Sequence, residues 1–436
     1  MFKTIAPLSA IIALRFFGLF VVLPVISIYA LSLPGANSTL VGIVIGGYAI
    51  TQMIFQVPFG IMSDKLGRKG TIILGLLLFA IGSIICAISD NILALLLGRF
   101  LQGAGAIGAV VSAMISDLVK EEERPKAMAI MGGMIAGSFA LAMIAGPTIG
   151  SFFGIHSLFW ITAILALTSI YILIKHVPNP PSITHTFNGD SKYSFFKSLN
   201  LIKMNITNFL QKALMTFAFM IIPIVLVKTY GWELSELWKV YLPAMIAGIL
   251  AMAPAAIMAE KKGKFKEILI AGIIFFALSY YIIGGSSDEV YFIVGVVVFF
   301  IGFNMHEPIM QSLATKYAKV YQRGAVLGVF NSFGYFGTFI GGLVGGMMMD
   351  KISLEDISFF IIIICILWML LILTLPNPSK TKNVYIDVNQ TDKKKYPLLN
   401  NTDGCSEWYI NNTEKLLIVK YHADILTEEN IREMVK

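Results

Sequence analysis

The sequence predicts an all-α integral membrane protein with twelve transmembrane helices in two six-helix halves, followed by a small cytoplasmic α+β domain. Three observations support this fold class: an apolar composition, a series of apolar runs of membrane-spanning length, and one charged loop that occurs in both halves. Of the 436 residues, 57% are hydrophobic and 14% are charged, and the mean hydropathy is +0.78. A soluble domain is far less apolar.

Twelve apolar runs are each long enough to cross a bilayer, which takes about 20 residues of helix. The first is not expected to be a cleaved signal peptide, because it is long, contains Arg15 and lacks a small-residue cleavage site. A polar, proline-containing stretch after the sixth run predicts a linker. The runs lie at roughly 8–31, 40–62, 71–89, 92–118, 127–153, 157–176, 203–227, 237–259, 267–285, 290–314, 324–349 and 355–376. The predicted units are an N-terminal half (1–176), the linker (177–200), a C-terminal half (201–376) and a tail domain (377–436).

The distribution of Lys and Arg between the runs predicts the orientation of the chain. The odd-numbered connections hold only Lys228, Lys239 and Lys351, whereas four even-numbered connections are strongly basic. Because basic connections stay in the cytoplasm, both termini are predicted to be cytoplasmic. The net charge of +7 mostly reflects this asymmetry, so no nucleic-acid partner is expected. The basic connections contain Lys65, Arg68 and Lys69; Lys120, Arg124 and Lys126; Lys261, Lys262, Lys264 and Lys266; and Lys316, Lys319 and Arg323.

One charged loop occurs twice, once in each predicted half. Residues 60–75, GIMSDKLGRKGTIILG, align without a gap to residues 256–271, AIMAEKKGKFKEILIA, 196 residues further along the chain. Acid falls on acid at Asp64 and Glu260. Two parallel six-helix repeats with a site at their interface are typical of secondary transporters. The repeat therefore predicts a transporter whose site lies between the halves.

Three motifs carry a resemblance to a known family. The loop GIMSDKLGRKG resembles the signature loop of the major facilitator superfamily, and GRFLQGAGAIG (98–108) is similar to the fourth-span motif of the same group. The stretch GSFALAMIAGPTIGSFFG (137–154) is similar to the antiporter motif of the fifth span. The matching positions are Gly60, Asp64, Gly67, Arg68 and Lys69 in the loop, Arg99, Gln102 and Gly103 in the fourth span, and Gly146, Pro147 and Gly150 in the fifth span. Together the motifs resemble the twelve-span drug:proton antiporters, which implies proton-coupled export of small amphipathic molecules without indicating a particular substrate.

The charged loop also has a physical interpretation as a gate. Gly67 permits the tight reversal between two antiparallel spans, and Asp64 is expected to face the positive N-terminal end of the eleventh helix, near Arg323. Arg68 and Asp117 are both placed near the same end of the fourth span, where an ion pair is geometrically reasonable. The resemblance implies that Asp64, Arg68 and Asp117 latch the halves in the outward-facing state. The alternative is a set of solvated charges that only orient the chain, since exposed ion pairs contribute little.

Charged side chains inside the spans are costly unless they are paired or hydrated. Glu307 is the one carboxylate found deep in a span, and Lys212 lies at a similar depth in the seventh span. The two are predicted to meet across the C-terminal half of a central cavity. Glu307 is therefore the candidate proton carrier, with Lys212 as the cation that responds to its protonation. His306 could relay protons, but neighbouring residues of a helix face different sides, so a packing role is favoured.

The remaining polar groups of the spans suggest a cationic cavity. The spans contain three cations, Arg15, Arg99 and Lys212, and one deep carboxylate, Glu307. Arg15 occupies a span in which better-known drug exporters carry an acid. This balance favours an alternative function, a facilitator or importer of an anionic metabolite. The candidates for lining the cavity are Arg15, Tyr48, Gln52, Asn304 and Asn331. The glycines of the fifth and eleventh spans are predicted to pack at the interface between the halves.

After Pro376 the character of the sequence changes. Residues 383–388 alternate as a strand, 393–400 suggest a short helix, and 405–410 with 416–421 indicate a hairpin. Thr427 is expected to cap a terminal helix. The order βαββα suggests a ferredoxin-like domain with a regulatory or interaction role. The three cysteines, Cys86, Cys365 and Cys405, fit no metal or redox spacing.

The sequence indicates no enzyme. No nucleophile–base pair or nucleotide-binding loop occurs in a predicted cytoplasmic segment. Neither a cofactor nor a metal is expected. The expected partners are a small-molecule substrate, protons and the lipid bilayer, and the protein is expected to be a monomer.

Overall fold

The structure, a computed structural model, describes residues 2–120, 123–179, 198–318, 323–376, 381–411 and 415–436. Most of the predicted linker, residues 180–197, lies outside the described residues. The helices up to residue 376 are α1 (Phe2–Phe20), α2 (Leu23–Ser32), α3 (Ser38–Leu66), α4 (Arg68–Ala87), α5 (Ile92–Ala104), α6 (Gly108–Leu118), α7 (Arg124–Phe153), α8 (Ile155–His176), α9 (Leu199–Ile224), α10 (Trp238–Lys262), α11 (Phe265–Gly284), α12 (Glu289–Tyr317), α13 (Arg323–Met349) and α14 (Leu354–Leu373).

These helices form twelve spans that are long and apolar enough to cross a membrane, counted over the described residues. The first span consists of α1 and α2, and the fourth consists of α5 and α6. The seventh span continues beyond α9 as a π-helical turn over Val225–Thr229, and the eighth begins with a 3-10 turn over Leu234–Glu236 before α10. Each of the other eight spans is a single α-helix. Pro24 lies in the first turn of α2, where the missing N–H of proline is tolerated. The predicted fold class, with its twelve spans, is confirmed.

The two ends of the bundle differ in chemistry. The basic face is the end that carries Arg68, Arg124 and Lys264, and the other end is the opposite face. Four of the helices that begin at the opposite face, α3, α5, α12 and α14, have polar N-caps. In α3, for example, the side chain of Asn37 accepts a hydrogen bond from the main-chain N–H of Leu40. At the basic face Gly67 has φ +90°, a conformation that favours glycine. The tight reversal predicted between the second and third spans therefore forms.

The halves contact each other closely at the opposite face. A Cβ built on Gly42 of the second span would lie 2.0 Å from the carbonyl oxygen of Gly342 in the eleventh span. A Cβ on Gly346 would lie 2.3 Å from the carbonyl oxygen of Ser38. At the basic face, a Cβ on Gly60 of the second span or on Gly328 of the eleventh span would have no described atom within 4 Å. The bundle is therefore closed at the opposite face and separated at the basic face.

The tail contains an antiparallel sheet with the strand order β1-β3-β2. The strands are β1 (Thr381–Asp387), β2 (Cys405–Asn411) and β3 (Leu416–His422), and the terminal helix is α15 (Glu428–Val435). A central β3 that is antiparallel to both neighbours is the arrangement of a split β-α-β unit, so the predicted ferredoxin-like α+β domain is confirmed. Thr427 caps α15 as predicted, through a hydrogen bond from the main-chain N–H of Asn430.

The connection between β1 and β2 differs from the expected short α-helix. It consists of 3-10 turns over Val388–Gln390 and Lys393–Asn401. Pro397 lies inside the second turn and cannot donate the main-chain hydrogen bond that an α-helix interior requires. The tail core beneath the sheet contains Val384, Ile386, Leu417, Val419, Ile431 and Val435.

Candidate functional site

Lys212 of α9 and Glu307 of α12 form an ion pair inside the C-terminal half. The Nζ atom of Lys212 lies 2.8 Å from Oε1 and 3.0 Å from Oε2 of Glu307. The amide nitrogen of Gln211 donates a further hydrogen bond to Oε2, at 3.0 Å. The Lys212 side chain is 22% exposed and that of Glu307 is 39% exposed. The structure thus brings the predicted pair together and leaves its carboxylate accessible.

His306 lies on a different side of α12 from Glu307. Its side chain is fully buried, and Nε2 is 2.8 Å from the carbonyl oxygen of Leu269 in α11. The imidazole ring packs edge-on against Phe276 and Trp368. His306 therefore packs between the ninth, tenth and twelfth spans. It does not join the pair, in agreement with the packing role favoured from helix geometry.

Phenylalanine rings link Lys212 to the N-terminal half. Phe139 of the fifth span lies 6.0 Å from Phe303 of the tenth span, measured between ring centroids, so this contact crosses between the halves. Lys212 Nζ lies 5.1 Å from the centroid of Phe303, within the range of a cation–π interaction. On the other side, Phe139 packs edge-on against Phe20 at 4.9 Å, and Phe20 stacks on Phe16 at 5.4 Å. The aromatic row is defined here as Phe16, Phe20, Phe139 and Phe303.

Arg15 lies at the other end of the aromatic row. Its guanidinium carbon is 5.7 Å from the centroid of Phe16 and 5.3 Å from that of Phe79, and the residue is 1% exposed. Among the described residues, its side chain forms one hydrogen bond, from Nη2 to Oε1 of Gln52, at 3.3 Å. Nε and Nη1 have no partner among the described residues. Arg15 is thus buried at this end of the row without a carboxylate from the described part of the chain.

Arg99 does not contribute charge to the cavity, contrary to the prediction. It is fully buried and donates to the carbonyl oxygen of Val44 at 3.1 Å and to Oε1 of Gln102 at 2.8 Å. Its guanidinium carbon lies 4.6 Å from the ring centroid of Tyr48. A Cβ built on Gly103 would lie 1.8 Å from the carbonyl oxygen of Tyr48. The fourth-span motif therefore joins the second and fourth spans inside the N-terminal half.

Two of the candidates for lining the cavity, Asn304 and Asn331, lie at positions that do not place them in it. Asn304 is 6% exposed and donates to the carbonyl oxygen of Phe300 on its own helix, at 2.9 Å. Its side chain packs against Gly248 of α10, so it faces the eighth span. Asn331 is half-buried on α13. Of the five candidates, Arg15 and Gln52 are the two that a hydrogen bond joins.

The gating residues form one cluster at the basic face. Arg68 Nη1 lies 2.6 Å from Oδ1 of Asp64 and Nε lies 2.9 Å from Oδ2 of Asp117, while Ser63 accepts a further bond at 2.6 Å. The side chain of Asp64 is 68% exposed, compared with 20% for Arg68 and 21% for Asp117. All of these residues belong to the N-terminal half. In this arrangement, with the halves separated at the basic face, Asp64 forms its ion pair with Arg68.

The repeated loop of the C-terminal half forms a related ion pair. Glu260, the counterpart of Asp64, lies 3.3 Å from Nζ of Lys316 at the end of α12, and its carboxylate also accepts a hydrogen bond from Ser312. The acid of each loop therefore pairs with a base. In the N-terminal half that base is in the loop, whereas in the C-terminal half it comes from the tenth span.

The antiporter motif packs within the N-terminal half. A Cβ on Gly146 would lie 2.1 Å from the carbonyl oxygen of Val21, at the break in the first span. A Cβ on Gly150 would meet Ile155 at 2.9 Å, and Pro147 between them is buried. Gly146 and Gly150 therefore pack against their own half, and neither forms the predicted close contact between the halves. For the eleventh span the prediction is correct at Gly342 and Gly346, which contact the second span.

Sequence reasoning missed the aromatic row. The chain contains 31 phenylalanines, and in apolar spans an aromatic residue that packs between the halves cannot be distinguished from one facing lipid by composition. The spacing of Phe16 and Phe20, one helical turn apart and directly after Arg15, was the available signal.

Comparisons with known proteins agree with this architecture. The family model described as Major Facilitator Superfamily matches residues 8–342 and 244–398. The inner membrane transport protein YajR of Escherichia coli is 35% identical over 440 residues, which cover 98% of this chain and 96% of YajR. The quinolone resistance protein NorA of Staphylococcus aureus is 27% identical over 362 residues, covering 78% and 88% of the two chains. A crystal structure of a D-xylose-proton symporter superposes with a TM-score of 0.70 at 14% identity, covering 87% and 99% of the chains.

Proposed function

Because the chain belongs to the major facilitator superfamily, we propose that it is a proton-coupled antiporter that exports small amphipathic molecules by alternating access. The family establishes a multi-pass transporter with twelve spans. Proton coupling, antiport and the class of substrate are the proposal. The name of NorA, a quinolone resistance protein of similar length, supports an amphipathic substrate.

The ion pair between Lys212 and Glu307 is the observation that carries the proposal. A proton-driven exchanger needs a group inside the membrane that binds a proton on one side and releases it on the other. The side chain of Glu307 is 39% exposed while bonded to Lys212 at 2.8 Å, so it can exchange a proton with water without leaving the pair. Protonation of Glu307 removes the charge that holds Lys212, and this change can favour one arrangement of the halves over the other.

The orientation follows from the positive-inside rule. With the basic face in the cytoplasm of a bacterial inner membrane, the structure corresponds to an inward-facing arrangement. Closure at this face would bring the Asp64–Arg68–Asp117 cluster toward the start of α13, where the partial positive charge of a helix N-terminus favours an acid. The cluster would then act as the latch of the outward-facing state. A monomer surrounded by lipid, divided into units 1–176, 177–200, 201–376 and 377–436, completes the proposal.

The test is transport into inverted membrane vesicles under an imposed proton gradient. A panel of amphipathic anions, zwitterions and cations provides the substrates. Gradient-driven accumulation of at least one of them should be lost in Glu307→Gln. The matched control is Glu267→Gln, which removes an exposed carboxylate in the first turn of α11 at the basic face. Accumulation that persists in Glu307→Gln would mean that another group couples transport to the proton gradient.

A facilitator or importer of an anionic metabolite is the second candidate. It is favoured by the two cations of the site, Arg15 and Lys212, against the single carboxylate of Glu307. Such a protein would equilibrate an anion across the membrane without a proton gradient, and Glu307→Gln would not change the extent of equilibration. The vesicle experiment therefore separates the two functions.

A further inference from the structure

Arg15 is a buried cation whose hydrogen-bonding capacity is largely unused. It is 1% exposed, its Nη2 reaches Gln52 at 3.3 Å, and its Nε and Nη1 have no partner among the described residues. A guanidinium carries five N–H donors and no acceptor. The groups left open on Arg15 are therefore donors alone.

A buried cation with open donors requires an acceptor that carries negative charge. Burying a charge without a partner costs far more than burying a paired charge, and an unmade hydrogen bond adds to that cost. The surrounding side chains do not supply such a partner: Phe16 and Phe79 present ring faces, and Tyr48 and Tyr335 are the groups that interact electrostatically with Arg15. Both tyrosines have neutral phenols in their ordinary state.

The other two cations inside the spans are fully accounted for. Lys212 bonds both oxygens of Glu307. Arg99 donates from Nε to Val44, from Nη1 to Gln102 and from Nη2 to Ile45. Arg15 differs from both because its Nε and Nη1 have no partner among the described residues, although it is buried as completely as Arg99.

We propose that Arg15, assisted by Gln52, binds the negatively charged group of the transported molecule. The charged group is a carboxylate or sulfonate, which a guanidinium recognises with two parallel hydrogen bonds. The apolar part of the same molecule lies along the aromatic row, which begins at Phe16 beside Arg15 and reaches Lys212 in the other half. The substrate class is therefore the amphipathic organic anion. This inference rests on the proposed transport function and names its substrate.

The site is covered in the present arrangement by a residue of the other half. Tyr335 of the eleventh span packs against the cluster of Tyr48 and Phe79 next to Arg15, and it also interacts with Gln52. Because Tyr335 and Arg15 belong to different halves, a rotation of one half against the other uncovers the guanidinium. Access of the anion to Arg15 is thereby tied to the alternation of the halves.

Equilibrium binding to the purified full-length protein tests the proposal without any gradient. The probes are 1-naphthoate, naphthalene-1-methanol and 1-naphthylmethylammonium, which share one ring system and differ in charge. We expect the unfolding temperature of the wild type to rise with the concentration of 1-naphthoate and to respond weakly to the neutral and cationic probes. Sodium chloride alone should not reproduce the shift. Equal responses to all three probes, or a shift produced completely by chloride, would overturn the proposal.

Two variants address Arg15 directly. Arg15→Gln should lose the response to 1-naphthoate. Gln52→Glu should lose it as well and should unfold at a higher temperature than the wild type without any probe, because the new carboxylate accepts the open donors of Arg15. Gln102→Glu is the matched control: it places the same change beside Arg99, whose donors are in use, so no gain in unfolding temperature is expected and the response is retained. A response that persists in both Arg15→Gln and Gln52→Glu would contradict the site.

The binding and transport experiments together distinguish a failure of this inference from a failure of the proposed function. Binding of 1-naphthoate that depends on Arg15, combined with unchanged transport in Glu307→Gln, would retain the anion site and reject proton coupling through Glu307. Loss of accumulation in Glu307→Gln, combined with no preference for 1-naphthoate, would retain the coupling and reject the anion site.

Discussion

The two halves of the molecule place a cation at positions one residue apart in the repeat and surround it differently. The 196-residue offset of the repeated loop places Arg15 at Gln211, directly before Lys212, and places Glu307 at Val111. In the C-terminal half Lys212 is therefore paired with an acid, whereas in the N-terminal half the corresponding position of the acid is a buried valine. This difference leads us to propose separate roles for the halves: the C-terminal half holds a charge pair for protons, and the N-terminal half holds an open cation for an anion.

The strongest way to test this comparison is to remove each buried arginine of the N-terminal half. Arg99→Met leaves the carbonyl oxygen of Val44 and the amide oxygen of Gln102 without this donor, and we expect a loss of about 1–3 kcal/mol in the free energy of unfolding. Arg15→Met removes a charge that the described structure leaves largely uncompensated, so its unfolding temperature should equal or exceed that of the wild type. The measurement is thermal unfolding in one detergent without added anion. Equal destabilisation by both substitutions would mean that Arg15 has a partner.

The charged cluster at the basic face should affect the rate of transport more than binding. Arg68→Ala removes the two ion pairs with Asp64 and Asp117, and we expect the turnover to fall about fivefold, which corresponds to about 1 kcal/mol in the barrier. The affinity for substrate should stay within twofold, since the cluster lies at the rim of the bundle. Lys65→Ala, which alters an exposed lysine of the same loop, is the control. A large loss of affinity with normal turnover would reject the latch.

The smallest effect is expected from removal of the tail domain. Lys420 of β3 donates to the carbonyl oxygen of Ala318 at 3.1 Å, at the end of α12, and ending the chain at Pro376 eliminates this contact. The truncated protein should be monodisperse, with a free energy of unfolding lower by about 1 kcal/mol. Lys420→Met in the full chain should reproduce most of this change. Aggregation of the truncated protein, measured by size-exclusion chromatography, would make the tail an integral support of the bundle.

Much of the fold was predictable because the bilayer restricts what the sequence can do. Twelve apolar runs, a tight turn at Gly67 and the capping role of Thr427 follow from length, glycine chemistry and side-chain hydrogen bonding. The pairing of Lys212 with Glu307 was predictable from depth alone, because opposite charges at one depth in a membrane have few other partners.

The direction of a side chain around its helix was the part that sequence could not provide. Depth places both Arg15 and Arg99 inside the membrane, yet one lies at the aromatic row and the other bonds the main chain of the second span. The same ambiguity applied to Gly146, which packs on the first span of its own half. Which end of the bundle is closed was also not accessible, because the same sequence must support both arrangements.

The central claim, that protons and substrate use different halves, is tested most directly by two transport assays on the same vesicles. In Glu307→Gln, gradient-driven accumulation of an amphipathic anion should fall at least tenfold, while exchange of the anion at equal concentrations on both sides should remain close to that of the wild type. In Arg15→Gln, accumulation and exchange should fall together, because the anion is no longer held. A Glu307→Gln protein that loses exchange as completely as accumulation, or an Arg15→Gln protein that retains both, would contradict the division between the halves.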